Sequence, residues 1–180
     1  MRSLMVVLLL MLAACDRQSA QQEQAQGAPA RSDKTDFSHK GEVAPAMPFV
    51  GPGGGPATLA TFRGKPLLVN LWATWCAPCI AEMPALDRLA AREKERLQLV
   101  AISQDMAGKR AVDPFFAQAK LTTLKPYIDK ENVLMLALRS ETLPMTILYD
   151  SEGREMWRIT GAFDWEGPAA RTLLDESLGD

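Results

Sequence analysis

A mixed β-sheet with helices packed on both of its faces is the architecture this sequence predicts. Short apolar runs alternate with helical patterns through the middle of the chain, and a hairpin signature joins the last two runs. A Cys-x-x-Cys pair stands where one run gives way to a helix. The 180 residues, 47% of them hydrophobic, suffice for one domain with a sizeable core plus a tail. A net charge of -2 without a long basic cluster gives nucleic acid no footprint, and a monomer is expected.

Residues 1–14 do not belong to the fold. Arg2 supplies a positive start and Leu4 to Leu12 is an unbroken apolar run, the pattern of an export signal. That run is far short of the about 20 residues that span a bilayer. Leu12-Ala13-Ala14-Cys15 resembles the lipobox of bacterial lipoproteins, which implies cleavage before Cys15 and lipid attachment to its thiol; an ordinary secretory peptide cut after Ala14 is the alternative. Asp16 resembles the residue that retains such proteins on the inner membrane of Gram-negative bacteria. Residues 15–42 follow as a tether expected to be disordered, rich in Gln, Ala and Ser and nearly without large apolar side chains. His39, the single histidine, falls in it, so no catalytic role is expected there.

The folded domain is expected over 43–180. Gly51 to Pro56 is a surface turn, since Gly and Pro at this density cannot form strand interior. Lys65 to Leu71 reads as a buried strand, and a helix follows from about Cys76 to Arg96, with Met83, Leu86 and Ala90 at helical spacing and Pro84 as an internal kink. Leu97 to Ser103 is a second buried strand. Val112 to Lys120 reads as a helix opened by Asp113-Pro114, Leu124 to Ile128 as a short strand, and Glu131 to Arg139 as a helical segment. Met145 to Tyr149 is a strand that turns at Asp150-Ser151-Glu152-Gly153 and pairs back through Glu155 to Thr160. A last helix opens at Gly167-Pro168, with Ala170, Leu173, Leu174 and Leu178 on one face.

The dithiol carries the chemistry. Cys76 would sit at the mouth of a helix, where unpaired N–H groups and the dipole favour the thiolate that attacks a disulfide. Cys79, one turn further in, can then attack the mixed disulfide, release the reduced partner and close a Cys76–Cys79 bridge. Zinc needs four ligands, and neither a second cysteine pair nor a second histidine is available. Two inert buried cysteines are the plainer reading, disfavoured by the order strand, dithiol, helix. Glu82 shares a helical face with Cys79, so it is a candidate proton acceptor; a solvated residue of the first turn is the alternative.

The run Asn70-Leu71-Trp72-Ala73-Thr74-Trp75-Cys76-Ala77-Pro78-Cys79, with Glu82-Met83-Pro84 after it and Leu143-Pro144 before a strand, resembles the TlpA/ResA-like thiol-disulfide oxidoreductases of the thioredoxin superfamily, over roughly residues 43 to 178. The resemblance implies a thioredoxin-like fold in which Pro144 is cis and packs against the dithiol. It also implies that the Leu143 backbone pairs with an extended client, that Trp75 forms an apolar rim, and that Pro78, Asn70 and Trp72 support the site. Thioredoxin carries a buried Asp where this chain has Asn70, and the family assigns the acid/base role to a Glu at the offset of Glu82.

The expected function is a thiol-disulfide oxidoreductase, lipid-anchored through Cys15 at the periplasmic face of the inner membrane, that reduces disulfides with the Cys76/Cys79 pair and no other cofactor. By resemblance its clients are apocytochrome c or copper-site and oxidase assembly proteins, and a membrane protein supplies its electrons. Two alternatives stay open. One is a Cu(I) chaperone using both cysteines as soft ligands, for which a downstream histidine is missing. The other is a peroxiredoxin-like thiol peroxidase, whose usual threonine three residues before the nucleophile is Ala73 in this chain.

Overall fold

A computed structural model of the protein describes residues 34–179. The export signal, Cys15 and most of the tether lie outside them. Among the described residues eight strands form one sheet: β1 (Thr35–Asp36), β2 (Phe49–Val50), β3 (Pro56–Ala57), β4 (Leu67–Trp72), β5 (Gln98–Ser103), β6 (Tyr127–Ile128), β7 (Met145–Tyr149) and β8 (Glu155–Thr160), in the order β1-β8-β7-β4-β5-β6-β2-β3. The pairs β4–β5 and β5–β6 are parallel, and the others are antiparallel. Four α-helices accompany the sheet: α1 (Ala77–Arg92), α2 (Lys109–Ala119), α3 (Val133–Ala137) and α4 (Pro168–Leu178).

Strand β4 is buried along its whole length, and the two-residue period of a strand sorts its side chains. Leu68 and Trp72 face one core with Met83 and Leu86 of α1, Val112 and Phe116 of α2, and Leu173 and Leu174 of α4. Val69 and Leu71 face the other core, with Leu134 of α3 and Leu59 of a short 3-10 turn. Asn70 shares the parity of Leu68 and Trp72. The one polar side chain of the central strand therefore points at α1, the helix that starts with the dithiol.

Beside a β2–β3 pair that takes in Pro56 of the expected turn and a β6 and α3 shorter than expected, three elements differ from the sequence expectation. The domain begins before 43: Thr35 and Asp36 pair with Ile159 and Arg158, the Gly41 N–H donates to Glu155 O at 2.7 Å, and the Ala44 N–H donates to Gly153 O at 2.9 Å. Residues 34–42 are thus an ordered edge rather than tether. Their order comes from main-chain bonds to β8, which composition does not register, and they cover what would otherwise be an open strand edge. Second, α2 starts at Lys109 after Gly108, whose φ of 59° suits glycine, and Asp113-Pro114 lies inside it. Asp113 pairs there with Lys109 at 3.1 Å one turn back, and Pro114 removes a bond only from the exposed Arg110 end. Third, α1 stops at Arg92, because the Glu93 carbonyl accepts from both Arg96 and Leu97 in a turn that leads into β5. Pro84 sits within α1 without ending it. Among the described residues no helix is long and apolar enough to cross a membrane.

Candidate active site

The dithiol is placed by the junction of β4 and α1. The Gln104 N–H donates to Trp72 O at 2.8 Å and the Cys76 N–H to Ala73 O at 3.1 Å, turning the chain sharply off the end of the strand. Between them Thr74 is clamped by the buried Asp105 carboxylate, which accepts from the Thr74 N–H at 2.9 Å and its hydroxyl at 2.6 Å. Ser103 holds that carboxylate in turn at 2.7 Å. The Trp72 indole packs on Phe115 and Phe116 of α2, with ring centroids 4.9 and 5.9 Å apart. It is a wall of the core behind the loop.

Cys76 is the N-cap of α1, and Pro78 in the first turn suits a position where no backbone donor is needed. The two cysteines form a disulfide, and the Cys79 N–H donates to Cys76 Sγ at 3.3 Å. This N–H is one of the orphan donors of a helix start, and it would stabilise negative charge on that sulfur once the bridge is reduced. Cys76 keeps 7% of its surface exposed and Cys79 none, so a partner meets Cys76 first. Trp75 is 70% exposed beside it, an unusual setting for an indole on a folded surface.

Glu82 is buried one turn below Cys79. Its Oε1 accepts from Asn70 Nδ2 at 2.9 Å, and the same amide donates to Thr146 Oγ1 at 3.0 Å. Its Oε2 accepts from Trp165 Nε1 at 3.3 Å and from the Phe163 N–H at 3.4 Å. Burial pushes the carboxyl above its ordinary range; the donors from Asn70, Phe163 and Trp165 and the positive charge of Lys34 oppose that without cancelling it. Such a group gives up its proton less readily than a free carboxyl. Above it opens a cleft of about 430 Å³ between α1 and residues 162–166, with Pro78, Ala81 and Glu82 on one wall and Phe163 and Trp165 on the other.

The Leu143–Pro144 bond is cis, as the resemblance implies. Pro144 is buried, Leu143 is partly exposed, and Pro144 O accepts from the Gly161 N–H at 2.8 Å. The proline loop is thereby fastened to the segment that carries Phe163 and Trp165. His39 lies apart from the dithiol, bonded to Glu42 at 3.1 Å beside the buried Glu155–Arg158 ion pair. Among the described residues no three His, Cys, Asp or Glu side chains come together as a metal site.

The structure joins Cys76, Cys79, Glu82 and Asn70 into one site, with Pro78 and Trp75 on its surface. Asn70 is expected as a support of the site that cannot itself exchange a proton, and its amide holds the Glu82 carboxylate in place. Sequence reasoning missed Thr146, Phe163, Trp165 and Asp105. The first three reach the site from 76 to 83 residues away in sequence, so no local spacing announces them.

Comparison with known proteins agrees with this geometry. The Redoxin family profile matches residues 39–174. The thiol-disulfide oxidoreductase ResA of Geobacillus kaustophilus is 31% identical over 127 residues, which cover 70% of this chain and 72% of that protein. The thioredoxin-like protein YneN of Bacillus subtilis is 31% identical over 115 residues, covering 63% of this chain and 67% of its own. Among solved structures, a candidate thiol:disulfide interchange protein DsbE from Chlorobium tepidum superposes with a TM-score of 0.70 over 78% of this chain and 98% of its own, at 23% identity. The exposed lipoprotein thioredoxin Etrx1 of Streptococcus pneumoniae gives 0.60 over 72% and 98%, at 21% identity.

Proposed function

Given that this chain belongs to the Redoxin family and is a thiol-disulfide oxidoreductase, we propose that it works as a reductase, anchored through lipidated Cys15 at the periplasmic face of the inner membrane. The observation that carries the direction is Glu82, buried one helical turn from the fully buried Cys79. An ionised carboxyl there disfavours a thiolate on Cys79, so the reduced pair gains little stabilisation from ionisation and yields its electrons more readily.

The reduction of the client uses residues of the chain alone. The Cys76 thiolate, formed at the helix mouth, attacks one sulfur of a client disulfide; a Cys76–client bond forms and the other client sulfur leaves as thiolate. Glu82 takes the proton of Cys79, whose thiolate attacks Cys76 Sγ; the client's second sulfur departs and takes up the proton held by Glu82, the first having drawn its own from water. The client has gained two electrons and two protons, and Cys76–Cys79 is again the disulfide seen here. Trp75 and the Leu143–Pro144 segment serve as the contact surface for an extended client. Proteins with paired cysteines, such as apocytochrome c or copper-site assembly factors, are the proposed clients, and a membrane protein returns the electrons.

Replacing Cys79 by Ser tests this reading, because Cys76 can then attack but cannot be displaced. Mixed disulfides should accumulate on the full-length chain in cells and yield proteins with paired metal- or haem-binding cysteines. Recovery of general secreted proteins only would rule out a dedicated assembly role. A reduction potential above about -180 mV, that of protein disulfide isomerase, would overturn the reductase direction.

A further inference from the structure

One peptide group lies between two charged side chains in this site. Lys34 Nζ donates to the carbonyl of Ala162 at 2.7 Å, and the N–H of the same Ala162–Phe163 peptide donates to Glu82 Oε2 at 3.4 Å. The arrangement follows from the sheet edge. Thr35 is paired with Ile159 and Asp36 with Arg158, so Lys34 comes opposite the end of β8, two residues before Ala162. A cation on the carbonyl polarises the peptide and strengthens the bond its N–H gives to a carboxylate. Lys34 thereby favours the ionised form of Glu82 across a single peptide unit, and its charge also acts on Glu82 directly.

We propose that Lys34 is a positioning residue for proton transfer at Glu82, through which the pairing of the edge strand β1 with β8 sets the pH range of the resolving step. The proposal rests on Glu82 being the proton acceptor for Cys79. The other charged groups at the cleft do not duplicate this role. Arg88 of α1 is held by Glu166 in two bonds of 2.8 Å, and Asp164, whose carboxylate accepts from the Glu166 N–H, adds negative charge. Strands β4 and β7 present Asn70 and Thr146, which do not titrate, and α1 itself adds Cys79.

The test is stopped-flow reduction of a disulfide-bonded client peptide by the full-length protein across pH, comparing wild type with Lys34→Met, Lys34→Arg, Glu82→Gln and the Lys34→Met/Glu82→Gln double variant. Loss of the cation leaves Glu82 harder to ionise, so in Lys34→Met the acidic limb of the resolving step should move up by about 0.5 pH unit, the size of a partly screened single charge, and by less in high salt. Arginine should restore the wild-type profile. In the Glu82→Gln background, removal of Lys34 should change nothing further. If Glu82→Gln alters the profile and Lys34→Met does not, the role of Lys34 is wrong while that of Glu82 stands. A shift in the double variant as large as in the single one overturns the proposal as well, and an unaltered Glu82→Gln profile overturns the reading beneath it.

Discussion

Glu82 concentrates the chemistry of the site in one carboxyl whose environment works in two directions. Burial raises its pKa and three donors lower it, with burial prevailing. Glu82→Gln removes the titration and keeps the size, so release of client from the Cys76 mixed disulfide should slow by perhaps ~10²-fold, with the first attack by Cys76 affected less. Stability carries an independent sign. A carboxyl whose folded pKa lies above its unfolded one favours the fold most below its ordinary value of 4.5, and this contribution is lost as pH rises through the folded value. Thermal melts of the oxidised protein should therefore show the variant gaining on wild type as pH rises above 4.5, and a constant difference would contradict the burial argument. Spacing made Glu82 legible, because a helix puts i and i+3 on one face. Its partners were not legible: Trp165 reads in sequence as one more core aromatic, and nothing around Asn70 tells whether its amide faces α1 or solvent.

At the scale of elements, a second carboxylate organises a loop. Asp87 on α1 accepts from the Thr122 N–H and hydroxyl at 3.2 and 3.3 Å, the Thr123 N–H at 2.9 Å and the Leu124 N–H at 2.8 Å, fixing the loop between α2 and β6 against the helix that bears the dithiol. Burial alone would raise this carboxyl, but the backbone donors of Leu124, Thr122 and Thr123 outweigh it and its pKa is lowered. The stability it provides is present above its ordinary value of 3.8 and fades as pH falls through the lower folded value. Asp87→Ala strands three N–H groups and should cost about 2–4 kcal/mol in urea unfolding at pH 7, with a smaller loss near pH 3. An equal loss at both pH values would mean that the carboxylate is not what holds the loop. The long elements were readable from periodicity; β7 and β8 have the bounds expected of them and α4 starts at Pro168 as its Gly-Pro signal predicts. The start of α2 was not, since Asp-Pro is as strong a helix opener as any sequence signal and here the chain had already begun its turn at Gly108.

At the scale of the whole molecule, the proposed anchor at Cys15 and the dithiol lie far apart in the sequence, so attachment and catalysis should separate. Cys15→Ser should leave the protein unprocessed or soluble while the Cys76/Cys79 pair still reduces disulfides, and membrane fractionation with precursor mass measures both. Unchanged membrane retention without a mass shift would remove the lipobox reading. The fold class followed from alternating strands and helices because each element buries its own apolar face. The ordered residues 34–42 escaped that logic, being polar in composition and held by the backbone of β8.

The indole of Trp165 donates its N–H to the Glu82 carboxylate. Ionisation of that carboxylate should therefore change how strongly the indole is quenched. Emission followed against pH should carry a transition that Glu82→Gln removes, read at equilibrium without turnover, client or label; identical titrations of the two proteins would break the link.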